Sequence, residues 1–349
     1  MINLLRPLQS MIDGVRATRR SLIGGPGHRG PPSDHFDGNV FRNPAAGAGK
    51  SFSDFLRWQR TRRKAQWPTW VENRAIPDIL TTPAANEVAL TFINHITFLL
   101  QFRGLNVLTD PVFSERVSPV QWAGPRRVHA AGVALEALPR IDLVLLSHNH
   151  YDHLDIATLS SLAKNHESQI VTGLGNAAFL AECDLPGAID LDWWQATTTR
   201  GAEVTFTPAQ HWSGRGLRGP NRTLWGGFLL RVGPHALYFA GDTGYGGHFR
   251  LIRERLGQPT VSLLPIGAYE PRWFMGEQHM NPDDAVRAHL DLGSRVSIAT
   301  HFGCFQLTDE GIDEPVSELL AARIRHAVHA DRFRVPEVGE TIRLAVGTS

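Results

Sequence analysis

The chain has 349 residues, 42% of them hydrophobic and 20% charged, with a net charge of +1. That balance suits a soluble globular protein with a sizeable core and excludes a disordered chain; no run approaches the ~18 uncharged apolar residues of a membrane span, and the opening MINLL is too short for a secretory signal, so an intracellular, cytoplasmic protein is expected. Two cysteines, Cys183 and Cys304, exclude a disulfide framework and a C-x-x-C site, so a bound metal would rest on nitrogen and oxygen ligands.

In chain order, the first 74 residues carry thirteen Lys/Arg against five Asp/Glu, a leader near +8 set against a remainder near −7. The stretch RWQRTRRK (57–64) would attract an anionic surface, either lipid headgroups or nucleic acid, or form a solvated basic face. Residues 21–50 are dense in Gly, Pro and Asn and read as an irregular arm wrapping on the outside. An amphipathic helix is expected over 52–66, stopped by Trp67-Pro68. The division is therefore an arm, 1–70, and one domain, 71–349.

Within that domain, short apolar runs predict strands at 88–93, 97–102, 106–109, 143–147, 170–172, 203–208, 225–232, 235–240, 261–264 and 296–300. Helical patterns fall at 155–165, with Asp155 as N-cap, and at 175–181, 248–256, 282–292 and 314–330. No repeat of about 20–50 residues marks a solenoid. Meandering strands followed by strands separated by helices suggest an α/β protein with two packed sheets and helices outside.

Chemistry gathers where strands end. In LLSHNHYDHLD (145–155), His148 and His150 alternate and leave extended backbone on one side, while Asp152 and His153 follow as the chain turns. Two ligand pairs within six residues exceed what one cation takes from so short a loop and suit two adjacent divalent metals. Further candidates close later apolar runs: His211 in FTPAQHW, Asp242 in LYFAGDTGY and His301 in VSIATHFG.

This set resembles the metallo-β-lactamase superfamily, whose H-x-H-x-D-H signature is matched by His148, His150, Asp152 and His153, and whose later ligands match His211, Asp242 and His301. The resemblance implies a four-layer αββα sandwich with one metal on His148, His150 and His211, the other on Asp152, His153 and His301, and Asp242 between them. The segments LTDPVFSERVSPVQWAGPRR, GDTGYGGHF, GAYEPRWFMGEQHM and THFG resemble, more narrowly, the N-acylphosphatidylethanolamine phospholipase D branch. That branch implies a phosphodiesterase with two zinc ions (manganese or iron also suit the ligand set) that uses a metal-held hydroxide to release an N-acylethanolamine and phosphatidic acid. Asp152 and His279 are then the expected catalytic residues, His279 contacting a phosphoryl oxygen or protonating the leaving oxygen.

The implied partners are a phospholipid substrate and a peripheral membrane surface, with a homodimer compatible and no nucleic acid expected. Hydrolysis of a soluble ester, lactone or cyclic phosphodiester is the alternative within the superfamily, and nucleic-acid processing through the basic leader is a third reading. His95 is either a ligand-orienting or an ordinary core histidine, and Trp122, Trp193, Trp194, Trp212 and Trp273 either line an acyl groove or belong to core and rim. Gly241, Gly244, Gly246 and Gly247 read as tight turns beside Asp242, and Cys304 as a small buried hydrophobe.

Overall fold

A computed structural model describes residues 22–44, 50–79 and 81–345; the expectations for residues 1–21 and 45–49, the start of the basic arm among them, lie outside that range. Among the described residues, strands form two seven-stranded sheets. The first contains β1 (Glu87–Asn94), β2 (Thr97–Phe102), β3 (Leu105–Thr109), β4 (Leu143–Leu146), β5 (Gln169–Gly173) and β6 (Ile189–Leu191), with β14 (Thr341–Ala345) beside β1. The second runs from β7 (Ala196–Thr199) through β8 (Ala202–Thr207), β9 (Gly227–Val232), β10 (His235–Phe239), β11 (Val261–Pro265) and β12 (Val296–Thr300) to β13 (Phe333–Arg334). Each sheet makes antiparallel joints across one half and parallel joints across the other, switching at β3 in the first and at β10 in the second. The two halves therefore repeat an architecture that no sequence repeat announces.

Strands such as β4 and β11 are buried along their whole length because both faces are covered. Phe92, Phe98, Phe206, Phe228 and Phe239 fill the space between the sheets, each contributing roughly 1.5–3 kcal/mol by leaving water. Outside the first sheet, α2 (Ile156–His166) and α3 (Asn176–Glu182) bring Leu159, Leu162, Phe179 and Leu180 onto Val144 and Leu146. Outside the second, α4 (His248–Leu256), α6 (Pro282–Leu292) and α7 (Glu314–Arg325) deliver Phe249, Ile252, Val286, Leu292 and Leu319. The expected αββα layering is what the chain adopts.

All ten predicted strands form, and the helices at 248–256 and 282–292 keep their expected limits. Asp155 caps α2 as expected, accepting from the amides of Ala157 and Thr158. Two helices end early. The first, α1 (Phe52–Thr61), stops well before Trp67-Pro68 because Asp309 draws the following chain into extended form: its carboxylate accepts from Trp58 Nε1, Arg62 Nε and the Arg63 amide, and its carbonyl from the Ala65 amide. The last, α7, ends at Arg325 instead of 330, since Ala327 takes a left-handed φ of 52° and the amides of Ala327 and Val328 fold back onto the carbonyls of Ile324 and Arg323. That closing turn normally uses glycine, so alanine left no signal of it.

The strands β6, β7, β13 and β14 and the single turn α5 (Arg272–Met275) were not anticipated. The four strands are the edges of the two sheets, where exposure blurs the apolar pattern, and α5 is only four residues long. The segment expected to wrap on the outside also reaches inward: Phe36 and Phe41 are buried in the inter-sheet core. Among the described residues, no helix is long and apolar enough to cross a membrane.

Candidate metal centre

The strand β4 ends at Leu146, and the irregular chain that follows turns its ligand-type side chains toward the opposite sheet. His148 Nε2 lies 2.8 Å from His150 Nδ1, which lies 3.4 Å from His211 Nε2. The second group centres on two carboxylates. Asp242 Oδ2 stands 3.1 Å from His153 Nε2, 3.2 Å from His301 Nε2 and 3.7 Å from His211 Nε2, while Asp152 Oδ2 is 3.4 Å from both His153 Nε2 and His301 Nε2. All seven sequence candidates thus converge, as two ligand sets joined at Asp242, and form a candidate metal-binding His/Asp cluster.

The far side of each ring states which nitrogen is free. The His148 Nδ1–H donates to Ser147 Oγ at 2.9 Å, His153 Nδ1–H to Asp110 Oδ2 at 2.7 Å, and His211 Nδ1–H to the Gln278 carbonyl at 2.9 Å. Each bond leaves Nε2 as the nitrogen turned into the cluster, the arrangement a metal-binding imidazole needs. His153 Nε2, His301 Nε2 and Asp242 Oδ1 are buried with no hydrogen-bond partner, although carboxylate oxygens lie within 3.4 Å of both rings. Buried ligand-type atoms this close together and left without a hydrogen-bond partner make a donor set that fits cations held between them.

Electrostatics agree. Burial alone would lower His301, but Asp242 and Asp152 outweigh it and raise the imidazole to about 9. His153 is likewise raised against its burial by Asp242 and Asp152, and both carboxylates, despite burial, are held well below their usual range by the surrounding histidines. Protons on two rings balance two carboxylates here; divalent cations would do so with more charge. In the other group, burial lowers His148 and His211 well below normal and takes His150 to about 4, so these rings offer neutral nitrogen.

The backbone is strained around this point. His95, Asp110 and His301 have φ of 45°, 31° and 59°, left-handed values that cost of order 1–3 kcal/mol each and cluster at functional sites. The His301 amide donates to the His95 carbonyl at 2.7 Å, tying two of the strained turns together. His95, whose role the sequence left open, sets Nε2–H on Asp152 Oδ2 at 3.1 Å and is kept neutral, at about 3, by burial beside His301. It holds the Asp152 carboxylate in place within the cluster.

Asp110 was missed. It follows β3 directly, accepts from the Ser147 amide at 2.7 Å and from Ser147 Oγ, and holds His153. Its only trace in the sequence is an acidic residue at the end of an apolar strand, as at Asp242. Replacing it in D110N is expected to weaken metal retention by roughly 10–100-fold, the usual effect of losing a ligand's outer hydrogen-bond partner. Chelator competition on the loaded protein measures this, and unchanged retention would deny Asp110 that role.

Arg215 is a second residue without a motif: buried, it donates from Nη1 to the carbonyls of Asn149 and Leu154 at 3.1 and 2.8 Å, clasping the ligand loop at both ends. Gly241 makes room where expected. Its φ is 61°, and a Cβ there would meet Ser147 Cβ at 2.7 Å. Of the tryptophans, Trp212 lies against His150, with ring centres 4.3 Å apart, whereas Trp193 stacks on His35 and Trp194 under Arg255; Trp122 and Trp273 are exposed. Cys304 is buried, its thiol pushed up to about 12 by that burial.

His279 borders both ligand sets, its ring centre 5.0 Å from that of His211 and 5.6 Å from that of His301. It arrives on the segment after α5, where Arg272 Nη1 donates to the His279 carbonyl at 2.9 Å.

Known proteins are similar to this chain. Residues 105–302 match the β-lactamase superfamily domain. An uncharacterized protein of Mycobacterium tuberculosis is 43% identical over 244 residues, which is 68% of this chain and 64% of that relative, so the match spans just under two thirds of its length. The N-acyl-phosphatidylethanolamine-hydrolyzing phospholipase D 1 of Caenorhabditis elegans is 36% identical over 248 residues, 67% of this chain and 70% of that protein. Among solved structures, a metallo hydrolase from the archaeon Ignicoccus hospitalis aligns with a TM-score of 0.57 at 22% identity, covering 74% of this chain and 98% of that one. The isothiocyanate hydrolase from Delia radicum gut bacteria aligns with a TM-score of 0.58 at 24% identity, covering 73% and 98%. At such identities these two speak for the fold alone.

Proposed function

This chain belongs to the metallo-β-lactamase superfamily, a set of metal-dependent hydrolases, and from that premise we propose that it is a phosphodiesterase acting on N-acylphosphatidylethanolamine-type phospholipids. The bond between phosphorus and the ethanolamine oxygen is broken by water, yielding an N-acylethanolamine and phosphatidic acid. The observation that carries this reading is the position of His279: the segment GAYEPRWFMGEQHM, which resembles the phospholipase D branch, brings that ring to the edge of both ligand sets. The named activity of the Caenorhabditis elegans relative supports the lipid class.

In this proposal His148, His150 and His211 would hold one divalent cation and Asp152, His153 and His301 the other, with Asp242 within reach of both. Zinc is the metal proposed, with manganese or iron equally suited to nitrogen and carboxylate ligands. When bound, such a pair acidifies a water and neutralises phosphoryl oxygens. The protein's own groups do the rest. Asp152, oriented by His95, keeps its ligand oxygen in register. The neutral His279 offers an N–H to a phosphoryl oxygen or to the departing alkoxide.

Contact with an anionic membrane surface belongs to the same proposal. The helix α1 leaves Phe55 and Leu56 exposed beside Arg57 and Arg60, and Lys50, just before it, pairs with Glu277 at 3.8 Å, close to His279 in the chain. The test compares turnover of N-acylphosphatidylethanolamine in vesicles with that of a water-soluble phosphodiester. Phosphatidic acid and N-acylethanolamine should accumulate in equal amounts from the vesicles. Faster turnover of the soluble compound would instead favour a soluble-substrate hydrolase.

A further inference from the structure

His211 is delivered differently from its fellow ligands. Between β8 and β9 the chain from 208 to 226 contains neither helix nor strand; Gln210 forms an isolated bridge to Gly244, but the His211 main chain itself joins no ladder. What fixes it comes from elsewhere. Asn43 Nδ2 donates to the His211 carbonyl at 2.6 Å, and Asn43 Oδ1 accepts from Trp225 Nε1 at 3.3 Å. The same indole N–H is shared with the Ala209 carbonyl at 3.0 Å. One amide and one buried tryptophan therefore bind the chain on both sides of His211.

The segment carrying Asn43 is stitched to that loop along its length. The Phe41 amide donates to the Asn221 carbonyl and the His28 amide to the Arg222 carbonyl, both at 2.7 Å, and Arg222 Nη2 returns to the Pro26 carbonyl at 3.1 Å. At Gly24 the two backbones touch so closely that a Cβ would stand 2.2 Å from the Arg215 carbonyl oxygen. Phe36 and Phe41 anchor the segment in the inter-sheet core. Residues 24–44 themselves lie outside residues 105–302, the region that matches the superfamily domain.

We infer that residues 24–44 act as a strap and that Asn43 is a positioning residue for the ligand set His148, His150 and His211, holding the His211 main chain so that Nε2 meets its partners. The inference rests on the reading of the cluster as a two-cation site. A carbonyl left without its donor frees the His211 main chain just past the Gln210–Gly244 bridge, so the imidazole drifts while the group built on Asp152, His153 and His301 stays in place. The loss is therefore selective.

The experiment loads the full-length protein with cobalt(II) and follows the release of each ion to a competing chelator through the visible absorption of the bound metal. Asn43→Ala and Asn43→Asp are compared with Leu319→Ala, a destabilising change in the outer layer. Both Asn43 variants should hold one ion as the parent does and the other about 10-fold more weakly, with an altered absorption band for that ion. Leu319→Ala should lower the denaturation midpoint and leave both ions unaffected. If Asn43→Ala does not fold, Asn43→Asp, which keeps the volume and the acceptor for Trp225 but loses the donor, carries the measurement. Parent-like retention of both ions in the folded Asn43 variants, or equal weakening of both, overturns the inference. A parent that takes up no cobalt defeats the two-cation reading and this inference with it.

Discussion

Replacing Asp242 by alanine is expected to abolish hydrolysis and to leave the protein unable to retain its metals. The Asp242 Oδ2 atom approaches His153, His301, His211 and His279 within 3.1 to 3.9 Å, and so reaches members of both ligand sets. Without it, His153 and His301 lose the principal negative charge that offsets their burial. The fall in metal affinity should exceed ~100-fold, the upper end of what outer-shell losses cause. Elemental analysis of the folded variant is the decisive measurement. Two metals per chain in a folded D242A protein would refute the bridging role.

The second large effect is expected from H279A, which should lower kcat by about 10²–10³-fold, the range for losing one hydrogen-bond donor to developing negative charge, while metal content stays at the parent level. Burial takes His279 to about 4, so at neutral pH the ring carries no charge and can donate one N–H. Its Nδ1 is buried without a hydrogen-bond partner, 3.9 Å from Asp242 Oδ2. That distance also admits a different role, because His211, Asp242 and His279 themselves form a group able to hold an ion. The two roles separate cleanly: loss of one metal along with activity would make His279 a ligand, whereas loss of turnover alone marks a group that meets the substrate.

The seven converging side chains were legible because each is a ligand-type residue placed where an apolar run stops, and four of them share one loop. The layering was legible for a related reason: fully buried strands read as continuous apolar segments. Asp110, Arg215 and Asn43 were not. Asp110 acts at one remove through His153, while Arg215 and Asn43 act through backbone carbonyls, which every residue possesses, so nothing in their identity or spacing marks the partner. The same holds for the early end of α1, set by Asp309 from almost 250 positions away in the sequence. Local pattern carries local structure, and contacts of long range have to be seen.

The ligand groups come from both sheets: Asp152 and His153 follow β4 of the first, whereas His211, Asp242 and His301 follow β8, β10 and β12 of the second. A cation gripped by both is a rivet through the sandwich, and it has no counterpart once the layers part. Metal binding would then add to the stability of the folded chain by an amount that grows with the free metal concentration.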